Sequence, residues 1–239
     1  MKKKRKNTKK IFRINKKDIK IVIPIYNEAK AIGGLLDELT KLGWANSVIC
    51  VDDHSTDNSR DIILNYPVYY MRLIINRGQG GAIRTGNEAA LKMGAKIIVH
   101  MDGDHQHKPT ELPNLIKPML SKKYDIALGS RLKDRRNMPI KRRVANTIGN
   151  IITRILFGLS VSDSQSGYRA MSASAAKKIR LKTNGMEVCS EVISQIKRQK
   201  LKYVEVPITA VYTTYSLSKG QSLLKGIKTM IKLIVNRLQ

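Results

Sequence analysis

The 239 residues are 42% hydrophobic, enough for a sizeable core in one large domain or two small ones. Two cysteines, Cys50 and Cys189, make no disulfide framework, and no apolar run approaches a transmembrane helix, since Arg154 interrupts the best candidate. The formal charge of +27 points to a polyanionic partner: nucleic acid, an anionic membrane or phosphorylated substrates.

The charge is uneven. Lys2 to Lys20 carry eleven Lys or Arg against one acid, Asp18, and residues 1–18 read as a flexible basic arm. No apolar stretch follows it, so it does not read as a secretory signal. A cytoplasmic protein, soluble or peripheral on the cytoplasmic face of a membrane, is expected. A second cluster is Lys133, Arg135, Arg136, Lys141, Arg142 and Arg143. The scattered lysines have a plainer explanation in genome-wide or thermal adaptation.

From the arm onward, Ile19 to Ile25 reads as a buried strand, and Tyr26-Asn27-Glu28 as the turn after it. Ile32, Leu35, Leu36, Leu39 and Leu42 give a helical stripe. Ser47 to Asp52 is a second strand, ending in Asp52-Asp53-His54-Ser55-Thr56-Asp57. Tyr69 to Ile74 is a third. Asn76-Arg77-Gly78-Gln79-Gly80-Gly81 then opens a helix through Leu91. Lys96 to Met101 is a fourth strand and Asp125 to Gly129 a fifth. Alternating strands and helices predict an α/β fold, a mostly parallel sheet covered by helices, with a less regular C-terminal part. The polar clusters at 26–28, 52–57, 76–80, 102–107 and 129–131 all fall at strand C-termini, where such sheets bind ligands.

The fourth strand ends in Asp102-Gly103-Asp104-His105-Gln106-His107. Two carboxylates flanking a turn glycine can converge on one hard cation, and Mg²⁺ takes one or two carboxylates plus substrate phosphates. Gln106 and His107 could complete or flank that shell. Asp-Gly is equally ordinary turn chemistry. Further on, Ile148, Ile151, Ile152, Ile155, Leu156 and Leu159 mark an apolar helix from about Val144, followed by a polar loop, Asp163 to Arg169. Glu187 and Glu191 lie one helical turn apart. Tyr203 to Val211 reads as a strand, and residues 220–239 as an amphipathic helix.

Together these segments resemble a family 2 glycosyltransferase of the GT-A fold, most closely the dolichyl-phosphate mannose synthase and polyprenyl-phosphate branch, across 19–219. The segments that carry the resemblance are Ile-Val-Ile-Pro-Ile-Tyr-Asn-Glu (21–28), Val-Asp-Asp-His-Ser-Thr-Asp-Asn-Ser (51–59), Asn-Arg-Gly-Gln-Gly-Gly-Ala (76–82), Met-Asp-Gly-Asp-His-Gln-His (101–107), Gly-Ser-Arg (129–131) and Ser-Gly-Tyr-Arg-Ala (166–170). The resemblance implies a nucleotide pocket of Pro24, Tyr26, Glu28 and Asp53. It implies donor contacts at Gly80, Asp102 and Gly103, with glycines letting backbone approach a diphosphate. It implies Mg²⁺ or Mn²⁺ on Asp102, Asp104 and Gln106, and an acceptor phosphate held by Arg131, Arg143 and Lys219.

Asp104 and Arg131 are then the residues expected to carry catalysis. Asp57 is expected to be structural, as a helix cap. The implied reaction is inverting transfer from GDP-mannose or a UDP-hexose to a polyprenyl or dolichyl phosphate. Thr213 and Ser216 replace the family's frequent Arg and Gly, which leaves Lys219 as the late phosphate contact. If the protein works at a membrane, the basic arm and the amphipathic end must hold it there. The 144–159 helix fits either the core or a membrane surface near the prenyl chain. Glu187 and Glu191 fit either a solvated pair or a brace for the acceptor loop.

Two other readings remain. With a sugar hydroxyl as acceptor, a catalytic base is needed, and Asp163 or Glu187 would be the candidates. A nucleic-acid-binding protein would suit the charge, but aromatics are only 5%, stacking platforms are scarce, and no helix-turn-helix or zinc pattern occurs. No specific nucleic acid is therefore expected as partner.

Overall fold

The computed structural model describes residues 15–133, 140–209 and 211. Most of the basic arm, Thr213, Ser216, Lys219 and the 220–239 segment lie outside the described residues.

The strands are β1 (Ile19–Ile25), β2 (Val48–Asp52), β3 (Tyr69–Arg72), β4 (Ile97–His100), β5 (Ile126–Ser130), β6 (Arg169–Ser172) and β7 (Tyr203–Pro207). The helices are α1 (Ile32–Lys41), α2 (Ser59–Ile63), α3 (Gln79–Lys92), α4 (Leu112–Leu120), α5 (Ile140–Phe157), α6 (Ala173–Lys178) and α7 (Val188–Arg198). The described strands form one sheet in the order β3-β2-β1-β4-β6-β5-β7.

β1 is central and buried on both faces, which is why its sequence is a nearly unbroken apolar run. Ile21 and Ile23 join the α1 and α4 side of the core, with Leu35, Leu36, Leu115 and Ile116. Val22 faces the other way, toward Ala82 and Ile83 of α3 and toward Val192 and Ile193 of α7. The two core layers follow from the period-2 alternation of a strand.

β1, β2, β3 and β4 run parallel, as do β5 and β7. β6 is antiparallel to both neighbours, with His100 opposite Arg169. The sequence gives no sign of β6 as a strand, because its four residues follow a polar loop without alternation. Two other strands end earlier than predicted. Beyond Arg72 the chain turns so that the Leu73 amide bonds to Asp52 and the Arg77 amide to Asp53, leaving Ile74 fully outside. Beyond Pro207 the Thr209 amide turns to the Glu111 carboxylate. α5 starts before Val144 because Lys and Arg are good helix formers.

The chain winds outward from β1 through β2 to β3, then returns to place β4 on the other side of β1. The crevice beyond the C-terminal ends of β1 and β4 is therefore a topological switch point.

Candidate active site

The β1 and β2 loops are tied together at the mouth of that crevice. Asn27 has a left-handed backbone, and its amide bonds to Ser55 Oγ at 3.0 Å. The Glu28 amide donates to Ser59 Oγ at 2.8 Å and the Ala29 amide to Asp57 at 3.0 Å. Asp57 also accepts from the Ser59 amide and hydroxyl, the structural role its spacing suggests. Pro24 and Glu28 are half-buried at this edge, and Tyr26 is exposed.

Asp53 is buried, with Oδ1 accepting from the Arg77 amide at 2.6 Å and Oδ2 from the Gly78 amide at 2.7 Å. Burial pushes its carboxyl up despite those two bonds. The carboxylate expected to meet a nucleobase thus also anchors the glycine loop.

That loop packs differently from expectation. The Gly80 amide donates to the Asn184 carbonyl at 2.8 Å, and a Cβ at Gly78 or Gly80 would run into the Asn184 or Thr183 carbonyl. The close approach these glycines permit on that side is to protein backbone. Glu191 braces the facing segment, accepting from the Lys182 amide at 2.7 Å and the Thr183 amide at 3.0 Å, while Arg84 donates to the Thr183 carbonyl at 2.6 Å. Glu191 is half-buried and tied to the 182–183 segment, through which it supports the glycine loop. Glu187 is buried.

The segment after β4 brings Asp102, Gly103 and Asp104 beside β1, with Gly103 against the Pro24 carbonyl and the Glu28 side chain. Asp102 is held on both oxygens. Gln79 Nε2 donates to Oδ1 at 3.1 Å, and His107 Nε2 lies 3.0 Å from Oδ2. Burial alone would raise this carboxyl, but the His107 bond and the Arg131 and Arg169 charges hold it below its usual range. Asp104 accepts from the Gln106 amide at 3.1 Å and from Gln106 Nε2. Burial and the Asp102 charge push the Asp104 carboxyl up. Two neighbouring carboxylates with opposite shifts are a pair that a cation would relax.

Among the described residues no cluster of three or more His, Cys, Asp or Glu is placed to hold a metal alone. Asp102, Asp104 and Gln106 offer only oxygen ligands, two of them carboxylates. That set fits a hard divalent ion completed by substrate phosphates, and does not fit a self-sufficient protein cage. His105 turns away to Glu38 at 3.1 Å, and His107 faces Asp102.

Beyond β5, Arg131 is clamped by Asp163. The carboxylate accepts from the Arg131 amide at 3.0 Å, Nε at 2.8 Å and Nη2 at 2.9 Å. Asp163 is in turn fixed through its neighbours, which hang on α5. Asn150 Nδ2 donates to the Ser162 carbonyl at 2.6 Å, and Asn150 Oδ1 accepts from the Ser164 amide at 2.8 Å. Thr153 is buried against Ser164. The apolar residues Val144, Ile148, Ile151 and Ile155 face outward instead, Ile155 with 71% of its surface exposed. Ile152 and Leu156 are half-buried and Leu159 packs against the core, so the usual sense is reversed for only part of the stripe, which shares its outer face with Thr147 and Arg154. Arg143 is half-buried on the same helix.

Gln79, Asn150 and Arg169 carry roles that the sequence reading did not assign. Gln79 and Arg169 stand inside the segments quoted above, but nothing in sequence spacing says that they reach Asp102. Asn150 sits mid-helix in an apolar stretch, the one available signal of an inward polar face.

The sheet order, the switch-point crevice and the paired carboxylates define an α/β enzyme fold with its candidate site at the C-terminal ends of the strands. The sequence profile of Glycosyl transferase family 2 matches residues 20–180, and the chain belongs to that family of glycosyltransferases. It is 44% identical to an uncharacterized protein of Methanocaldococcus jannaschii, covering 98% of each chain. It is 35% identical to a UDP-N-acetylglucosamine–dolichyl-phosphate N-acetylglucosaminyltransferase of Methanococcus voltae, covering 91% of this chain and 95% of that one. It is 30% identical to an undecaprenyl-phosphate mannosyltransferase of Micrococcus luteus, covering 83% and 85%. The GT-A fold is shared with glucosyl-3-phosphoglycerate synthase from Mycobacterium tuberculosis, solved with Mn²⁺, UDP-glucose and phosphoglyceric acid, at a TM-score of 0.72 and 18% identity over 92% of this chain and 79% of that chain.

Proposed function

We propose that this protein transfers a sugar from a nucleotide sugar to a polyprenyl or dolichyl phosphate, with inversion at the anomeric carbon. The observation that carries the acceptor is the partly reversed α5. A helix that turns Asn150 and Thr153 inward and Val144, Ile148, Ile151 and Ile155 outward suits a lipid environment, and its inward face holds the loop that clamps Arg131. A prenyl chain on the outer face and its phosphate near Arg131 and Arg143 would share one end of the sheet. Lys219 belongs to the same proposal from outside the described residues. The charge of +27 favours an anionic membrane surface, on its cytoplasmic face, as the place of work.

The donor would lie across the β1–β4 crevice, its nucleoside near Pro24, Tyr26, Glu28 and Asp53 and its diphosphate toward Gly80, Asp102 and Gly103. Asp102, Asp104 and Gln106 would hold Mg²⁺ or Mn²⁺. The ion, when bound, supplies positive charge to the leaving diphosphate. Gln79 and His107 keep Asp102 turned one way, and the His107 bond with the Arg131 and Arg169 charges favours its ionised form. A phosphate acceptor is already anionic near neutral pH and needs positioning more than a base. A hydroxyl acceptor would need a base, and Asp163 is already engaged by three Arg131 donors.

The test is a donor screen. Purified protein, Mn²⁺ or Mg²⁺ and labelled nucleotide sugars are incubated with polyprenyl phosphate in detergent, and product is scored by extraction into organic solvent. UDP-N-acetylglucosamine and GDP-mannose come first, since the relatives named above are an N-acetylglucosaminyl- and a mannosyltransferase. Labelled lipid from one donor, lost with EDTA, supports the proposal. Label appearing only on sugar hydroxyls refutes it.

A further inference from the structure

We infer that His107 is a positioning residue, whose Nε2–H fixes the orientation of the Asp102 carboxylate for its bound cation and donor. The inference rests on the donor site proposed above. It adds a residue that the metal-ligand set does not contain.

His107 lies five residues beyond Asp102, across the turn, and is 1% exposed. Its ring stacks on Tyr168, centroids 4.8 Å apart and planes 27° from parallel. Tyr168 is itself fully buried and donates to the Lys108 carbonyl at 3.3 Å. The ring is therefore held from behind and has little freedom to rotate. Its two nitrogens face different surroundings. Nε2 points at Asp102 Oδ2 from 3.0 Å, and Nδ1 is buried with no hydrogen-bond partner among the described residues.

That asymmetry selects the tautomer. A proton on Nδ1 alone would bury an unsatisfied donor and set the Nε2 lone pair against a carboxylate lone pair. A proton on Nε2 leaves only an acceptor without a partner and makes a charge-assisted bond to Asp102. The imidazole is thus a fixed N–H donor.

The rest of the Asp102 environment leaves it no other direction. Gln79 Nε2 takes Oδ1, and the Gly167 backbone lies so close that a Cβ there would overlap the carboxylate. Among the described residues Asp104 has no such outside support: its hydrogen bonds come from Gln106, two residues on. The two carboxylates therefore divide the work, Asp102 preset and Asp104 adaptable. Partners behind a metal ligand commonly matter 10- to 100-fold for metal affinity or activity, by orienting the ligand.

Two substitutions separate the donor from the packing. His107→Phe keeps a ring on Tyr168 and removes the N–H. His107→Gln keeps an N–H at similar reach. The readout is calorimetric binding of Mn²⁺ with UDP, and with GDP in parallel, alongside half-saturating Mn²⁺ and kcat in the transfer assay and a thermal melt. Asp102→Asn is the control.

The expected result is Mn²⁺-nucleotide affinity weakened about 10- to 100-fold in His107→Phe, largely recovered in His107→Gln, with both melting near wild type. Unchanged affinity in His107→Phe, while Asp102→Asn loses it, overturns the role of His107 alone. Equal losses in both His107 variants that track their melting temperatures also overturn it, since they mean packing. Unchanged binding in Asp102→Asn, or no nucleotide binding by the wild type, overturns the donor site itself and this inference with it.

Discussion

The two regions proposed to take the donor and the acceptor are built on opposite plans. On the donor side, between β1 and β4, carboxylates face inward and are tied to the chain. Asp53 bonds to the Arg77 and Gly78 amides, Asp57 to Ala29 and Ser59, and Asp102 to Gln79 and His107. Apolar residues there fill the core in the ordinary sense. On the acceptor side α5 turns Asn150 and Thr153 inward and Ile148, Ile151 and Ile155 outward. The contrast fits two substrates of different character: a charged, water-soluble donor that needs a preset polar crevice, and an acceptor with an anionic head and an apolar tail. Polar bonds give the first its precision, and exposed apolar surface gives the second its address.

Four experiments would break or sharpen that contrast. The largest effect belongs to the donor side. Asp104→Asn should lower turnover at least about 100-fold with an unchanged melting temperature; near-normal turnover would remove Asp104 from the metal site. Arg131→Ala should raise KM for the lipid phosphate about 10- to 100-fold, the worth of one charge-assisted bond, while nucleotide binding, touched only through the Arg131 charge on Asp102, changes far less. A change confined to the nucleotide would move Arg131 to the donor half.

Next comes the outward face. Ile151→Ser with Ile155→Ser should weaken binding to anionic vesicles by on the order of tenfold and leave thermal stability intact, because both side chains are exposed. A cooperative loss of stability would mean that the face is covered in solution.

The smallest effect is a slope. His100 is buried, bonds to Asn87 at 2.8 Å, and has its pKa lowered from 6.5 to about 3 by burial and then by the Arg169 charge. The unfolded chain then binds a proton below about pH 6.5 that the folded chain refuses. Stability should fall as pH drops through that window toward about 3, by up to about 1.4 kcal/mol per pH unit from this one group. Chemical denaturation of His100→Gln between pH 7 and pH 4 should show a slope shallower by up to one proton; an identical slope would mean that His100 is protonated in the fold.

Much of this architecture is written in the chain. Apolar runs ending in polar clusters give the strands and the face on which ligands bind, because a parallel strand buried on both sides must be apolar throughout and its C-terminal loop must be polar. β6 escapes that logic: Arg169-Ala170-Met171-Ser172 is too short to show a period, and its antiparallel pairing with β4 joins residues far apart in the chain. The fate of each carboxylate is also hidden. Asp52, Asp53 and Asp57 look alike in sequence, and only the fold decides which amides reach them. α5 is the clearest case. Its 3.6-residue period locates an apolar stripe, but a period cannot say whether the stripe faces the core or the outside. Asn150 and Thr153 on the opposite face decide it, through partners in the 162–164 loop.

The central claim is that the nucleophile is a lipid phosphate. The most direct test offers the enzyme a matched pair of acceptors, a polyprenyl phosphate and the same polyprenol without its phosphate, with the donor that the screen identifies. The account predicts labelled lipid from the phosphate alone, and loss of that product in Arg131→Ala. Comparable labelling of the free polyprenol, or of a sugar hydroxyl supplied in its place, would contradict it.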